Sequence, residues 1–209
     1  VTRRLVIGTN NPGKLREFRE LLAGCGFELV TPREIGVKFD PEETGDTFEA
    51  NATIKAIDAA QATGLPALAD DSGIEIDALG GRPGIYSARY AGGDRMDPSI
   101  SEERQLEIVL DEMRGVPDEQ RTARFRCVIA IAEPGGGVKY AEGVFEGQIA
   151  HDARGENGFG YDPIFLLPER GVTSGELPRE EKNRISHRGQ AAAKALAILK
   201  DMARDDGAS

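Results

Sequence analysis

The chain has no tryptophan, only two cysteines and two histidines, and its 4 tyrosines and 8 phenylalanines are spread over 209 residues. So thin an aromatic content makes any ring in a polar, glycine-rich setting stand out. Two cysteines, Cys25 and Cys127, exclude a disulfide framework and fit a reducing compartment. Cys127 falls inside the apolar run Phe125-Arg126-Cys127-Val128-Ile129-Ala130-Ile131, which reads as a buried strand, so packing accounts for it. One of the two histidines, His187, stands with Ser186 and Arg188, and a single His is not a metal motif, so a zinc reading fails there on ligand count. No apolar run approaches bilayer-spanning length and no signal-type apolar segment opens the sequence, so a cytoplasmic location is expected. Positive charge is also in deficit: 26 basic residues face 36 acidic ones, a net charge of −10. That argues against a surface that coats nucleic acid, whose affinity comes from neutralising phosphates. A small anionic ligand would need a local cluster of Lys, Arg and helix N-termini, together with a divalent cation.

What remains is the composition of an ordinary globular protein, 39% hydrophobic and 30% charged. Its length suits one sizeable core, as a single large domain or two lobes. The most informative stretch is Ala67-Leu68-Ala69-Asp70-Asp71-Ser72-Gly73-Ile74-Glu75-Ile76-Asp77, an apolar run that arrives at two adjacent carboxylates. Carboxylates at a strand end can hold a metal or take a proton. Successive strand side chains point to opposite faces, so Asp70 and Asp71 should serve different surroundings unless the backbone bends at Gly73. The plainer alternative is an Asx turn made by Asp71 or Ser72.

Other segments carry related signals. Arg3 to Thr9 reads as a first buried strand leading into Asn10-Asn11-Pro12-Gly13-Lys14 and a helix from Leu15 to Leu22. Asn11 can cap that helix and Pro12 suits its first turn, which aims amides and Lys14 where a phosphate would be favoured. The loop is not a Walker A loop. A second strand is expected over Phe27 to Thr31. A helix from about Phe48 to Thr63 shows Ala50, Ile54, Ile57 and Ala60 or Gln61 along one face, with Lys55 beside it, within reach of a cleft. Glu43 lies in an acidic turn ahead of that helix. Ser99 or Ser101 opens a helix through Met113 that carries Leu106, Val109, Leu110 and Met113 inward. Strands follow over Arg121 to Ala132 and Val138 to Ile149, and Arg121, Arg124 and Arg126 read as a solvated strand face. In Gly158-Phe159-Gly160-Tyr161-Asp162 the glycines expose the Phe159 ring, where a base could stack for about 1–3 kcal/mol. Asp162 either accepts from a base edge or caps the turn. Lys182, His187 and Arg188 form a donor cluster ahead of the final helix, Ala191 to Met202, and no apolar core accounts for His187.

Taken in order, Thr9-Asn10-Asn11-Pro12-Gly13-Lys14, Glu42-Glu43-Thr44-Gly45, Ala69-Asp70-Asp71-Ser72-Gly73, Gly80 to Arg89, Phe159-Gly160-Tyr161-Asp162-Pro163-Ile164-Phe165 and Ser186-His187-Arg188-Gly189 resemble the inosine triphosphate pyrophosphatase family, the non-standard purine NTP pyrophosphatases. The resemblance runs from Thr9 to the final helix without departing from the pattern at a motif position. It implies an α/β fold with a long mixed sheet flanked by helices, and two lobes with the active-site cleft between them. One domain would span residues 1–209, with a mobile tail after about residue 203. It further implies a homodimer that hydrolyses ITP, dITP and XTP to the monophosphate and pyrophosphate with Mg²⁺, cleansing the nucleotide pool. By position, Thr9, Asn10, Asn11, Pro12, Gly13, Lys14 and Lys55 would bind the phosphates, while Glu43 and Asp71 would hold the metal. Asp71 would be the general base and Ser72 would touch substrate. Phe159, within Phe159-Gly160-Tyr161, would stack on the base, and Asp162, Lys182, His187 and Arg188 would read its edge. A non-hydrolysing nucleotide sensor is the rival reading; a phosphatase releasing single phosphates is the nearest rival enzyme.

Overall fold

The structure, a computed structural model, describes residues 3–205. Strand β1 (Arg4–Ile7) is almost wholly buried, as its Leu-Val-Ile run requires, and lies between two parallel neighbours. These are β2 (Glu28–Val30) and β3 (Ala67–Ile76), registered through Leu5 to Leu29 and through Ile7 to Leu68. Strands β4 (Thr122–Ala132), β5 (Val138–Ile149), β6 (Phe165–Leu167) and β7 (Val172–Thr173) extend the sheet in the order β2-β1-β3-β4-β5-β6-β7. β6 is antiparallel to both β5 and β7, so the sheet is mixed, as the resemblance implies. The helices are α1 (Pro12–Leu21), α2 (Phe48–Thr63), α3 (Glu102–Glu112), α4 (Arg179–Ile185) and α5 (His187–Asp205). β6, β7 and α4 were not anticipated. The tail expected after about residue 203 begins within α5, and its remainder lies outside the described residues.

The chain forms two compact units. Among the described residues, one comprises 3–71, with Cys127–Gly143 and 188–205. Its core gathers Leu5, Ile7 and Leu68 with Phe18 and Leu22, Cys127 and Ile129, and Ala195 and Leu199 of α5. The other comprises Ser72–Arg126 and Val144–His187. There Ile74 and Ile76 pack with Val109 and Met113, Phe125, and Ile164 and Phe165.

Three local expectations are corrected. The face that α2 buries is Phe48, Asn51, Ala52, Lys55, Ala56, Ala59 and Ala60, whereas Ile57 is exposed and Ala50 and Ile54 are half-buried. Alanines let this helix sit close against its neighbours, and that close approach carries Asn51 and Lys55 inward with them. Arg121 is no solvated residue: it is buried and donates to the carbonyls of Ile149 (2.7 Å), Met113 (2.8 Å) and Ala150 (2.8 Å). Arg124 and Arg126 are more exposed but not idle, pairing with Asp77 and Glu146 and with Glu75. An apolar neighbour does account for His187, which is buried with its ring stacked on Phe125 at 4.7 Å and 11°.

Candidate active site

Asp70 and Asp71 sit inside a continuous β3 with no turn between them. Strand alternation therefore separates their partners, as the period of two demands. Lys14 Nζ lies 3.0 Å from Asp70 Oδ2, and Arg188 Nη2 lies 3.6 Å from the same oxygen. Asp71 Oδ1 accepts from Lys55 Nζ at 3.0 Å, while Asn51 Nδ2 lies 3.4 Å from its Oδ2. Burial alone would raise the Asp70 carboxyl, but Lys14, Arg188 and Lys55 outweigh it and hold it well below the usual carboxylate range. For Asp71 burial dominates and pushes the carboxyl up, with Glu43 adding to the rise while Lys55 and Lys14 oppose it. Two neighbouring aspartates thus differ in proton affinity, which suits Asp71 better to accepting a proton.

Lys55 also donates to Glu43 Oε1 at 2.8 Å, so one ammonium joins Glu43 and Asp71. Burial would lower its affinity for a proton, but Asp71, Asp70 and Glu43 together raise it. The Thr9-to-Lys14 segment is fixed by its own side chains. Asn11 caps α1 by accepting from Lys14 N at 3.0 Å, Thr9 Oγ1 accepts from Asn11 N at 3.2 Å, and Asn10 donates to Phe39 O at 3.0 Å. Pro12 and Gly13 open the helix as expected; Pro12 has no amide hydrogen and Asn11 takes that of Lys14, so this N-terminus offers an anion mainly the Lys14 ammonium and the positive end of the helix dipole.

In the second unit Asp162 uses both carboxylate oxygens internally. Oδ2 accepts from Phe159 N at 2.9 Å and from Lys182 Nζ at 2.6 Å, and Oδ1 accepts from Ser174 Oγ at 2.8 Å. Of its two expected roles, Asp162 therefore fills the turn cap. Lys182 Nζ also lies 5.0 Å from the centroid of the half-buried Phe159 ring. Gly158, at φ 81°, admits no side chain, because a Cβ there would strike the Asp162 carboxylate. Gly160 N donates to Glu102 Oε2 at 2.8 Å, and Tyr161 donates to Ser87 O at 2.8 Å, so the loop is held from both sides. Ser72 is half-buried on β3.

These two groups are the motifs that carry the family resemblance, and comparison with known proteins decides the matter. The sequence profile of the Ham1 family matches residues 5–198. The chain belongs to the Ham1 family. The dITP/XTP pyrophosphatase of Bacillus subtilis (strain 168) is 48% identical over 199 residues, covering 95% of this chain and 98% of that protein. The dITP/XTP pyrophosphatase of Desulforamulus reducens is 52% identical over 196 residues, covering 94% and 95%. A HAM1 protein from Coxiella burnetii superposes with a TM-score of 0.85 at 43% identity, over 95% of this chain and 99% of that one.

Several residues of this Ham1 site were missed in the sequence. Asn51 braces Asp71 and accepts from Gly45 N at 2.8 Å; a polar residue four positions before Lys55 on an alanine face was the available clue. Glu17 is buried and its Oε2 accepts from Arg188 Nη1 at 2.6 Å. The guanidinium expected at a base edge is thus held by Glu17 and Asp70. Cys127, packed as expected, also lies 3.8 Å from Asp70 Oδ2 through its Sγ.

Proposed function

We propose that this Ham1 chain hydrolyses the non-standard purine nucleoside triphosphates ITP, dITP and XTP to the monophosphate and pyrophosphate. The observation that carries the reading is Asp71: a buried carboxyl with raised proton affinity, braced by Asn51 and joined through Lys55 to Glu43. A binding protein has no use for a base so placed. The near-complete match to proteins named dITP/XTP pyrophosphatase supports the same substrates here.

Among the described residues no three His, Cys, Asp or Glu side chains form a self-sufficient metal site. Two carboxylates completed by substrate oxygens and water suit Mg²⁺, which seldom uses an all-protein cage. Glu43 and Asp71 pass a direct test of fit, since both already grip a cation, the Lys55 ammonium. Bound there, Mg²⁺ would neutralise charge on the phosphates. Lys14, Lys55 and the positive end of α1 hold the triphosphate, and Asp71 removes the proton of the attacking water. Thr9, Asn10 and Asn11 keep the phosphate loop in shape. Phe159, stiffened by Gly160, Tyr161 and Asp162, stacks on the purine, and Ser72 contacts the substrate. Lys182 and His187 read the edge of the base, with Asp162 holding the Lys182 ammonium in place, while Arg188 stays with Glu17 and Asp70. A carbonyl at purine position 6 meets these donors, whereas the amino group of ATP leaves them unsatisfied, at about 1–3 kcal/mol for each lost partner. We further propose a cytoplasmic homodimer; no helix among the described residues is long and apolar enough to cross a membrane.

A product assay over dITP, XTP, ITP, GTP and ATP with Mg²⁺ tests the reading. Pyrophosphate from the first three, well ahead of ATP, is expected. Single phosphates, or tight binding with no product, would transfer the chain to the phosphatase or sensor reading.

A further inference from the structure

Lys55 holds a place that the phosphate-binding role does not explain. Its Nζ lies 2.8 Å from Glu43 Oε1 and 3.0 Å from Asp71 Oδ1, on a helix face it shares with Phe48, Asn51 and alanines. Asn51, one turn earlier on α2, steadies the other oxygen of Asp71. The ammonium is thus lodged between two acids, with little water around Lys55 or Asp71. A divalent ion seated on the same two carboxylates would face this ammonium across a few ångströms of poorly screened space, where like charges repel strongly. The two cations exclude each other unless something draws the lysine away. A triphosphate does so, because it offers Lys55 new anionic oxygens.

We propose that Lys55 is a built-in counter-ion that occupies the metal position of the nucleotide-free protein, so that the divalent ion enters together with the triphosphate and not before it. The proposal rests on reading Glu43 and Asp71 as the metal-holding pair of a triphosphate hydrolase. In the exchange Lys55 leaves the carboxylates for the phosphate, and the metal takes its place, so neither acid is left unpaired in a buried position. Lys55 then acts twice: it keeps idle metal out, and it holds substrate once the metal is in.

The test is Mn²⁺ binding without nucleotide, read from the loss of the free-ion electron paramagnetic resonance signal. Wild type is expected to bind weakly at this site. Lys55→Met and Lys55→Gln, which remove the charge, should bind Mn²⁺ at least about tenfold more tightly. Lys55→Arg, which keeps it, should bind as weakly as wild type, and Glu43→Gln should bind no more tightly. Lys55→Gln retains an amide donor for the two acids and guards against failure of Lys55→Met to fold, with thermal melting as the check. Equal Mn²⁺ affinity in wild type and both neutral variants would overturn the proposal. dITP hydrolysis by wild type is scored separately. Turnover without the Mn²⁺ gain overturns the exchange alone, whereas the gain without turnover upholds the exchange and overturns the hydrolase reading.

Discussion

Asp71 and Asp70 share a backbone step and the field of Lys14 and Lys55, but not their hydrogen-bond partners. Lys14 and Arg188 crowd Asp70 and keep it ionised, while burial leaves Asp71 the readier of the two to take a proton. Replacing Asp71 by Asn keeps the shape and removes the base. We expect Asp71→Asn to lose at least about 100-fold in kcat, as for a removed general base, while the Kd for nucleotide changes little. Single-turnover rates and equilibrium titration check this, and near-wild-type turnover would refute it. Lys182 offers a second measurement, since its ammonium is fixed by Asp162 and lies over the Phe159 ring. Lys182→Met should cut kcat/KM for dITP by about 10- to 100-fold, the worth of one or two lost charged hydrogen bonds, and affect residual ATP turnover less. Equal losses on both substrates would place Lys182 outside base selection.

Helix α2 links sequence to site more tightly than any other element, because one face supplies both Asn51 and Lys55. Its start is set by Thr47, whose Oγ1 accepts from Ala50 N at 3.1 Å. Thr47→Ala should cost about 1 kcal/mol in urea unfolding, the usual worth of a lost N-cap. A loss near zero would mean that packing alone sets the helix start. The limits of α2 were legible in the sequence, but its buried face was not. Ile54 and Ile57 suggested one stripe, while a run of alanines gave the true face too little contrast to show. Local rules did better elsewhere. The Asn11 cap, the Pro12 start and the alternation at Asp70 and Asp71 depend on neighbours within a few residues, and each is seen in the structure. Contacts that tie distant segments left no trace. Glu17 meets Arg188 across 171 positions, and buried Arg121 satisfies carbonyls of the chain near Ile149. β6 and β7, at three and two residues, are too short to show a period.

At the scale of the whole molecule, a net charge of −10 must accommodate a polyanion. The local counter-charge is Lys14 and Lys55, each held in the free protein by acids (Asp70; Glu43 and Asp71), with a helix N-terminus beside Lys14. Ligand that binds only the folded chain adds to its stability by mass action. A non-hydrolysable dITP analogue with Mg²⁺ at a hundred times its Kd should add about 2.7 kcal/mol and raise Tm, and ATP at the same concentration should do far less. Equal shifts would show that the site grips phosphate without regard to base.

The two thiols give this chain an internal clock. Cys25 and Cys127 are both sealed in the core of the first unit, and burial pushes the Cys127 thiol up, away from its reactive thiolate form. A maleimide therefore finds nothing to alkylate until that core opens, so adduct formation reports the open population at low reagent and the opening rate once reagent outpaces reclosing, with no label introduced by mutation.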